Sequence, residues 1–301
     1  MKKRRSLIMK TFILVLALLM TLGVAACGGE APSEAPPAAP APPPASPPPA
    51  SPAQPPASPE SPAAPDPVEL IVFAAASMTD TLLEVAELYK SAAPHVTLVF
   101  NFDSSGTLKT QIEEGADVDL FVSAAQRQMN ELQDLDFVLQ GSRINILENK
   151  VALVVATGNP KGITNFNNLV EALQGGDVLM AMGNSDVPVG QYTIEILKYF
   201  DLDEDALARS GVITYGSNVR EVTTQVTESS VDVGIVYATD AFSTGLAVVD
   251  TATAEMCGGQ VIYPAAVMSV SANAAEAQAF LDYLLTPPAM AVFEGVGFSP
   301  V

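Results

Sequence analysis

The 301-residue chain has no tryptophan, one histidine and two cysteines. Its histidine, His95, lies far in sequence from Cys257. A histidine-centred metal site or a cysteine–histidine catalytic pair requires such residues to be grouped, and this sequence does not group them. We therefore expect no metal coordinated directly by the protein, no cofactor and no enzymatic activity. Cys257, in the turn-like stretch "EMCGGQ", is expected to be an inert thiol.

Basic residues are also scarce, with 14 Lys and Arg against 34 Asp and Glu and a formal net charge of −20. Five of the basic residues lie within the first ten positions, so the rest of the chain carries a net charge of about −25. A surface this acidic repels the phosphate backbone. The composition therefore excludes nucleic acid as a partner.

The N-terminal segment has the organisation of a secretory signal. Four basic residues precede the apolar run "TFILVLALLM", and "VAAC" places small residues directly before Cys27. This resembles a bacterial lipobox, so residues 1–26 are predicted to be a lipoprotein signal peptide and Cys27 to carry the lipid. An uncleaved membrane anchor is the alternative, although about fifteen apolar residues are few for a spanning helix. The expected location is extracytoplasmic, anchored by lipid to the outer face of the cell membrane.

Residues 27–67 consist of the lipidated cysteine and a segment rich in Pro and Ala, with runs such as "PPPASPPPASP". Such a segment cannot bury apolar surface, so we predict a disordered linker with extended polyproline character. The folded domain is then 68–301.

Short apolar runs alternate with helical patterns through this domain, which predicts an α/β fold whose sheets are flanked by helices. One apolar stripe at helical spacing includes Met78, Leu82 and Tyr89, and another includes Val222 and Val226. The predicted strands are 68–74, 96–102, 118–124, 150–157, 177–183, 211–215, 231–238 and 260–270.

Ligands of open α/β sheets bind where strands end and helices begin, so the residues at these junctions are candidates. Ser77 stands at the first junction in an S-x-x-D pattern, and Ser105 opens the helix after the second strand. Val189 follows a proline that suits a first helical turn, and Val219 follows Asn218, a predicted helix cap. Tyr237 ends a strand at the same expected edge. Each serine has the alternative of being only a helix cap.

Several motifs together resemble the molybdate-binding proteins of bacterial ABC transporters, which have a two-lobed, periplasmic-binding-protein-like fold of type II. The motifs are "VFAAASMTDTL", "FDSSGTLKTQIEEGADVDLFVSA", "VPVGQYTIEIL", "NVREVTTQV", "VDVGIVYATDA", "YPAAV" and "FLDYLLTPPAMAVFEGVGF". The resemblance spans 68–301 and implies two lobes, each a mainly parallel sheet flanked by helices, with the ligand in the cleft between them. Lobe 1 is predicted to comprise about 68–149 and 266–301, and lobe 2 about 150–265, with hinge crossings near 149–151 and 260–266.

The resemblance further implies that the ligand is molybdate or tungstate, held by neutral donors and delivered to a membrane permease by a monomeric protein. The implied contacts are the hydroxyls and main chain of Ser77 and Ser105, the N–H groups of Val189 and Val219, and the hydroxyl of Tyr237. A binder of the same fold that prefers tungstate or sulfate is the alternative. The sequence departs from the family pattern at Gly106, where some members carry a third serine, and Asp103 places an acid beside the predicted anion site.

Two alternative functions, from other classes of protein, remain. An α/β hydrolase would need a G-x-S-x-G elbow, and the nearest serine context, "GNSDV", lacks the second glycine. A structural lipoprotein or adhesin without a ligand would use the serine junctions only as caps. Arg220, the one basic neighbour of the junctions, is expected to form a surface ion pair.

Overall fold

A computed structural model describes residues 65–301; the predicted signal peptide, Cys27 and nearly all of the linker lie outside the described residues. The strands are β1 (Val68–Ala75), β2 (Val96–Asp103), β3 (Leu120–Val122), β4 (Ile144–Asn149), β5 (Val151–Val155), β6 (Met180–Gly183), β7 (Ile213–Gly216), β8 (Val233–Tyr237), β9 (Ala247–Thr251), β10 (Val261–Val267) and β11 (Ser299–Pro300). The helices are α1 (Thr79–Ala92), α2 (Ser105–Glu113), α3 (Gln126–Asp134), α4 (Phe166–Gly175), α5 (Pro188–Tyr199), α6 (Glu204–Ser210), α7 (Val219–Thr227), α8 (Ala238–Thr244), α9 (Ala274–Leu284) and α10 (Pro287–Gly295).

The strands form two sheets. One has six strands in the order β11-β4-β10-β3-β1-β2, and the other has five in the order β7-β6-β8-β5-β9. In the six-stranded sheet β1 to β4 run in one direction and β10 and β11 run in the other; in the five-stranded sheet only β5 is reversed. We call the part built on the six-stranded sheet the first lobe and the part built on the five-stranded sheet the second lobe.

Each predicted strand coincides with an observed one, but three observed strands were not predicted. The missed strands are β4, β9 and β11. Strand β4 has the sequence INILEN, in which polar residues interrupt the apolar run, and β9 is largely exposed. Strand β11 has two residues and ends on a proline. These strands lie at or near sheet edges, where the apolar run that marks a central strand is not required.

The central strands are buried on both faces because helices cover both sides of the sheets. Every residue of β5, β8 and β10 is buried. The predicted helical stripes face this core, since Leu82, Val85 and Tyr89 of α1 and Val222 and Val226 of α7 are buried. The α/β class predicted from the alternating pattern is therefore confirmed. No helix within the described part of the chain is long and apolar enough to span a membrane.

The chain passes between the lobes twice. Strand β4 ends at Asn149 and β5 begins at Val151, so Lys150 alone joins the two sheets at the first crossing. The return lies between β9 and β10, and β10 belongs to the six-stranded sheet along its whole length. The predicted start of the returning segment, at 266, therefore falls inside a strand of the first lobe. The apolar run 260–270 predicts a strand, but its sequence does not indicate which of the two sheets the strand joins.

Candidate functional site

A small cavity lies where strand ends of both sheets meet the first turns of helices. Its volume is about 10 Å³, far below the roughly 300–1,000 Å³ of pockets for organic ligands. At this separation of the lobes the cavity therefore has no room for an organic substrate. The lining residues are Ala75, Ala76, Ser77, Asp103, Ser104, Ser105, Ala124, Val187, Pro188, Val219 and Tyr237.

Ser105 is brought to this cavity by the first turn of α2. The helix is capped by Ser104, whose hydroxyl accepts the N–H of Thr107 at 3.1 Å. Ser105 itself is fully buried, and its Oγ accepts the N–H of Ala124 at 2.9 Å. Because this contact uses a lone pair of the hydroxyl, the hydroxyl proton remains able to donate to a ligand.

Ser77 lies in a short 3₁₀ turn, Ala76–Met78, between β1 and α1. Neither that turn nor α1 has a side-chain cap, so the interpretation of Ser77 as a helix cap is wrong. Its Oγ instead lies 3.0 Å from the hydroxyl of Tyr263 on β10. Residues 75–77 occupy the junction with small side chains, and the backbone is therefore accessible from the cavity.

The second lobe brings two helix starts to the cavity. Pro188 is the first residue of α5, as predicted, and Val189 after it is fully buried. Asn218 caps α7 by accepting the N–H of Glu221 at 3.1 Å. Among the hydrogen bonds of residues 65–301, none engages the N–H of Val189 or Val219. Val219 lines the cavity, whereas at α5 the lining residues are Val187 and Pro188, directly before Val189.

Tyr237 ends β8 and lines the cavity from the second lobe. Its hydroxyl makes a long contact of 3.4 Å to the carbonyl oxygen of Ala124, the residue whose N–H is bound by Ser105. Burial raises the pKa of Tyr237 well above its usual value, and the nearby Tyr263 adds to this. The phenol therefore stays protonated at neutral pH, and its single proton can donate to a ligand only by leaving the long contact with the Ala124 carbonyl.

Asp103 is the one acidic residue of the lining. Its Oδ1 accepts the N–H of Ser104 at 2.7 Å and the side-chain amide of Asn218 at 3.3 Å. The amide contact joins the two lobes, so Asp103 works as an acceptor between neutral donors. No lysine, arginine or histidine lines the cavity within residues 65–301.

Residues 70–299 match the family described as bacterial extracellular solute-binding proteins. The chain belongs to this family. YvgL of Bacillus subtilis, provisionally named an ABC transporter substrate-binding lipoprotein, is 35% identical over 234 residues, which cover 77% of this chain and 86% of YvgL. The molybdate-binding protein ModA of Haemophilus influenzae is 34% identical over 238 residues, covering 77% of this chain and 90% of ModA.

Among solved structures, the periplasmic molybdate-binding protein of Azotobacter vinelandii aligns with a TM-score of 0.67 at 23% identity, covering 76% of this chain and 98% of that one. At this identity the likeness establishes the fold, which is the two-lobed fold predicted from the sequence. The resemblance to molybdate-binding proteins is also confirmed, because ModA relatives align over nearly their whole length.

The solute-binding protein also has an ion pair between its lobes. Arg220, on α7, donates to Oδ2 of Asp80 at 2.6 Å and through Nε to the carbonyl oxygen of Ala76 at 3.1 Å. The expected ion pair is thus present, but its acidic partner lies in the other lobe, 140 residues away in the sequence. The pair adjoins Ser77 on one side and Val219 on the other.

A buried carboxyl lies behind the tyrosine of this solute-binding protein. Asp240 of α8 is buried, and its Oδ2 has no hydrogen-bond partner within the described residues. Burial raises the pKa of Asp240 to about 7, while the positive charge of Arg220 lowers it in part. The sequence gave no reason to select Asp240, because an acidic residue three positions after a strand is normally a solvated residue in the first turn of the next helix.

Cys257 and His95 take no part in the cavity. Burial raises the pKa of Cys257 to about 11, so the thiol stays protonated at neutral pH. Among the described residues no group of His, Cys, Asp and Glu is arranged to hold a metal ion.

Proposed function

We propose that this solute-binding protein captures molybdate between its lobes and delivers it to the permease of an ABC transporter. The observation that supports this proposal most directly is the cavity, where hydroxyls and helix N-termini from both lobes converge without a basic side chain. The proposed contacts are Ser77, Ser105, Val189, Val219 and Tyr237. The 34% identity to a molybdate-binding relative supports molybdate over other small anions.

Neutral donors can hold a dianion because each hydrogen bond to a charged group contributes about 1.5–3 kcal/mol. Five such contacts give roughly 8–15 kcal/mol before the costs of desolvation and lobe closure are subtracted. The N-terminal ends of α2, α5 and α7 add partial positive charge within their first turns. The acidic surface opposes this weakly, since charges beyond about 8 Å are largely screened at physiological salt.

A cage made of donors also discriminates between anions. Molybdate, tungstate and sulfate are fully deprotonated at neutral pH and accept hydrogen bonds at every oxygen. Phosphate keeps a proton and needs an acceptor, which the five proposed contacts do not offer; Asp103, the acidic residue of the lining, already accepts two hydrogen bonds through Oδ1, so only its Oδ2 is left to accept that proton. We therefore expect phosphate to bind much more weakly than molybdate.

The location follows from the N-terminal segment and from the family, whose members are extracellular. We propose that Cys27 carries the lipid and that the Pro- and Ala-rich segment holds the binding domain away from the membrane. The provisional description of YvgL as a lipoprotein supports this. Mass spectrometry of the purified protein should find an acylated chain that begins at Cys27, whereas a chain that keeps residues 1–26 would favour an uncleaved anchor.

The function is tested by elemental analysis of the purified protein for Mo and W, followed by calorimetric titration with molybdate, tungstate, sulfate and phosphate. We expect tight binding of molybdate and weak or no binding of phosphate. Tight binding of sulfate without molybdate would replace the proposed ligand. If none of the four anions binds, the ligand-free structural reading is favoured instead.

A further inference from the structure

Gly106, the second residue of α2, makes a backbone hydrogen bond between the lobes. Its N–H donates to the carbonyl oxygen of Asp186 at 3.1 Å. Asp186 lies in the second lobe, between β6 and α5. A Cβ atom placed on Gly106 would lie 2.1 Å from that oxygen and 2.8 Å from its carbon. No side chain at position 106 fits this separation of the lobes.

The loop that carries Asp186 is held within its own lobe. The N–H of Asp186 donates to Oδ1 of Asn184 at 2.9 Å, and the N–H of Val187 donates to the Asn184 carbonyl at 3.0 Å. The side-chain amide of Gln191 binds the carbonyl of Ser185 at 2.9 Å. Because these bonds fix the loop to the start of α5, relief of a clash at Gly106 requires movement between the lobes.

We propose that Gly106 is a positioning residue that sets how closely the two lobes approach and thereby how well the cavity fits a tetrahedral oxyanion. This inference rests on the proposed capture of an oxyanion between the lobes. A methyl group at position 106 would force the lobes more than 1 Å apart at this point, because its carbon would lie 2.1 Å from the carbonyl oxygen and ordinary contacts begin at 3.4 Å.

The contact between Gly106 and Asp186 lies close in the chain to proposed ligand donors of both lobes. Ser105 directly precedes Gly106, and Val189 lies three residues after Asp186 in the first turn of α5. Hydrogen bonds weaken steeply once the distance between donor and acceptor exceeds normal values, so a displacement of about 1 Å removes contacts on one side of a ligand. Some members of the family carry a serine at the position of Gly106. This chain lacks that hydroxyl, and its lobes approach more closely there than a side chain would allow.

The test compares Gly106→Ala with Gly295→Ala. Both glycines lie in helices, neither has a positive φ, and a Cβ on Gly295 meets nothing within 4 Å. Calorimetric titration with sodium molybdate should show Kd for Gly106→Ala raised at least about tenfold, the equivalent of one lost hydrogen bond to a charged group. Gly295→Ala should bind like the unsubstituted protein.

A second measurement separates closure from folding. Alanine is a better helix former than glycine, so the melting temperature of ligand-free Gly106→Ala should be no lower than that of the unsubstituted protein. Its increase on adding molybdate should be smaller. Small-angle scattering with saturating molybdate should give a larger radius of gyration for Gly106→Ala than for Gly295→Ala.

Three outcomes are distinguishable. If both variants and the unsubstituted protein bind molybdate equally, Gly106 does not set closure, although the proposed function stands. If ligand-free Gly106→Ala melts well below the unsubstituted protein, the glycine serves the fold and the inference is overturned. If none of the three proteins binds molybdate, tungstate or sulfate, the proposed function fails first and the inference fails with it.

Discussion

The two lobes present different chemistry to the same cavity. The first lobe contributes hydroxyls, Ser77 and Ser105, whose oxygens already lie within hydrogen-bonding distance of groups from β10 and from the residues after β3. The second lobe contributes two helix starts whose main-chain N–H groups are fixed by the helix itself, together with Tyr237. The first lobe's half of the site therefore depends on the hydrogen bonds of two serine side chains, and the second lobe's half depends on one phenol and on where two helices begin.

This difference determines how each half can be perturbed. A hydroxyl can be deleted by substitution, whereas the N–H of Val189 or Val219 can be reached only through the residues that hold its helix in place. The predictions below use both routes, and the largest expected effect comes first.

Removing one hydroxyl from each lobe should almost abolish molybdate binding. In Ser105→Ala/Tyr237→Phe, two charge-assisted hydrogen bonds are lost, about 3–6 kcal/mol, so Kd should rise at least about 100-fold. Titration calorimetry measures this, with Tyr199→Phe as control because Tyr199 is half exposed and lies outside the cavity. Unchanged binding by the double variant would remove these two residues from the site.

The buried carboxyl behind Tyr237 should make stability depend on pH. Burial raises the pKa of Asp240 from 3.8 to about 7, so between these values the folded protein holds a proton that the unfolded chain releases. The free energy of unfolding should therefore fall as pH rises through this window, by roughly 2–4 kcal/mol.

Asp240→Asn has no such proton to lose, so its stability relative to the unsubstituted protein should increase from pH 5 to pH 8. Denaturant unfolding of the two proteins at both pH values gives this difference directly. Parallel pH profiles would mean that Asp240 is not the titrating group.

Loss of the α7 cap should affect the second lobe's half of the site. Asn218→Ala removes the acceptor for the N–H of Glu221 and the amide contact to Asp103. We expect about 1 kcal/mol less stability in thermal unfolding, with a few-fold weaker molybdate binding as the first turn frays. Asn165→Ala, which removes the equivalent cap of α4, should lower stability without changing affinity.

The ion pair between the lobes should have the smallest effect, because both side chains are partly exposed. Arg220→Gln and Asp80→Asn should each weaken molybdate binding by about 0.5–1 kcal/mol, and the double variant should lose little more than either alone. Lys198→Gln, which breaks a pair within α5, serves as the control. If the losses of affinity in the two single variants add up in the double variant, Arg220 and Asp80 act independently. The ion pair between them would then not contribute to molybdate binding.

Much of the fold was predictable because buried parallel strands leave continuous apolar runs. The start of α5 at Pro188 and the cap at Asn218 were also readable, since proline and asparagine act locally. The alternative that Ser77 is only a helix cap was wrong because the chain enters α1 through a 3₁₀ turn, and the Ser77 hydroxyl lies against that of Tyr263.

Two features that sequence patterns did not reveal depend on contacts between distant segments. Gly106 meets Asp186, and Arg220 crosses to Asp80, over separations of 80 and 140 residues. Nothing local to "SSGT" distinguishes a glycine required by a facing carbonyl from one that merely loosens a turn. Whether the five candidate residues bind an anion remains a prediction that titration must decide.

The single residue that joins β4 to β5 has a mechanical consequence. The carbonyl of Lys150 accepts the N–H of Ala238, and Val151 is paired with Tyr237 across β5 and β8. A change in the backbone torsion angles of Lys150 therefore moves the end of β8 directly. Under the proposed function, a rotation at Lys150 that opens the cleft would also carry Tyr237 away from the hydroxyls of the first lobe, so that the cleft would open and lose a ligand contact in one movement.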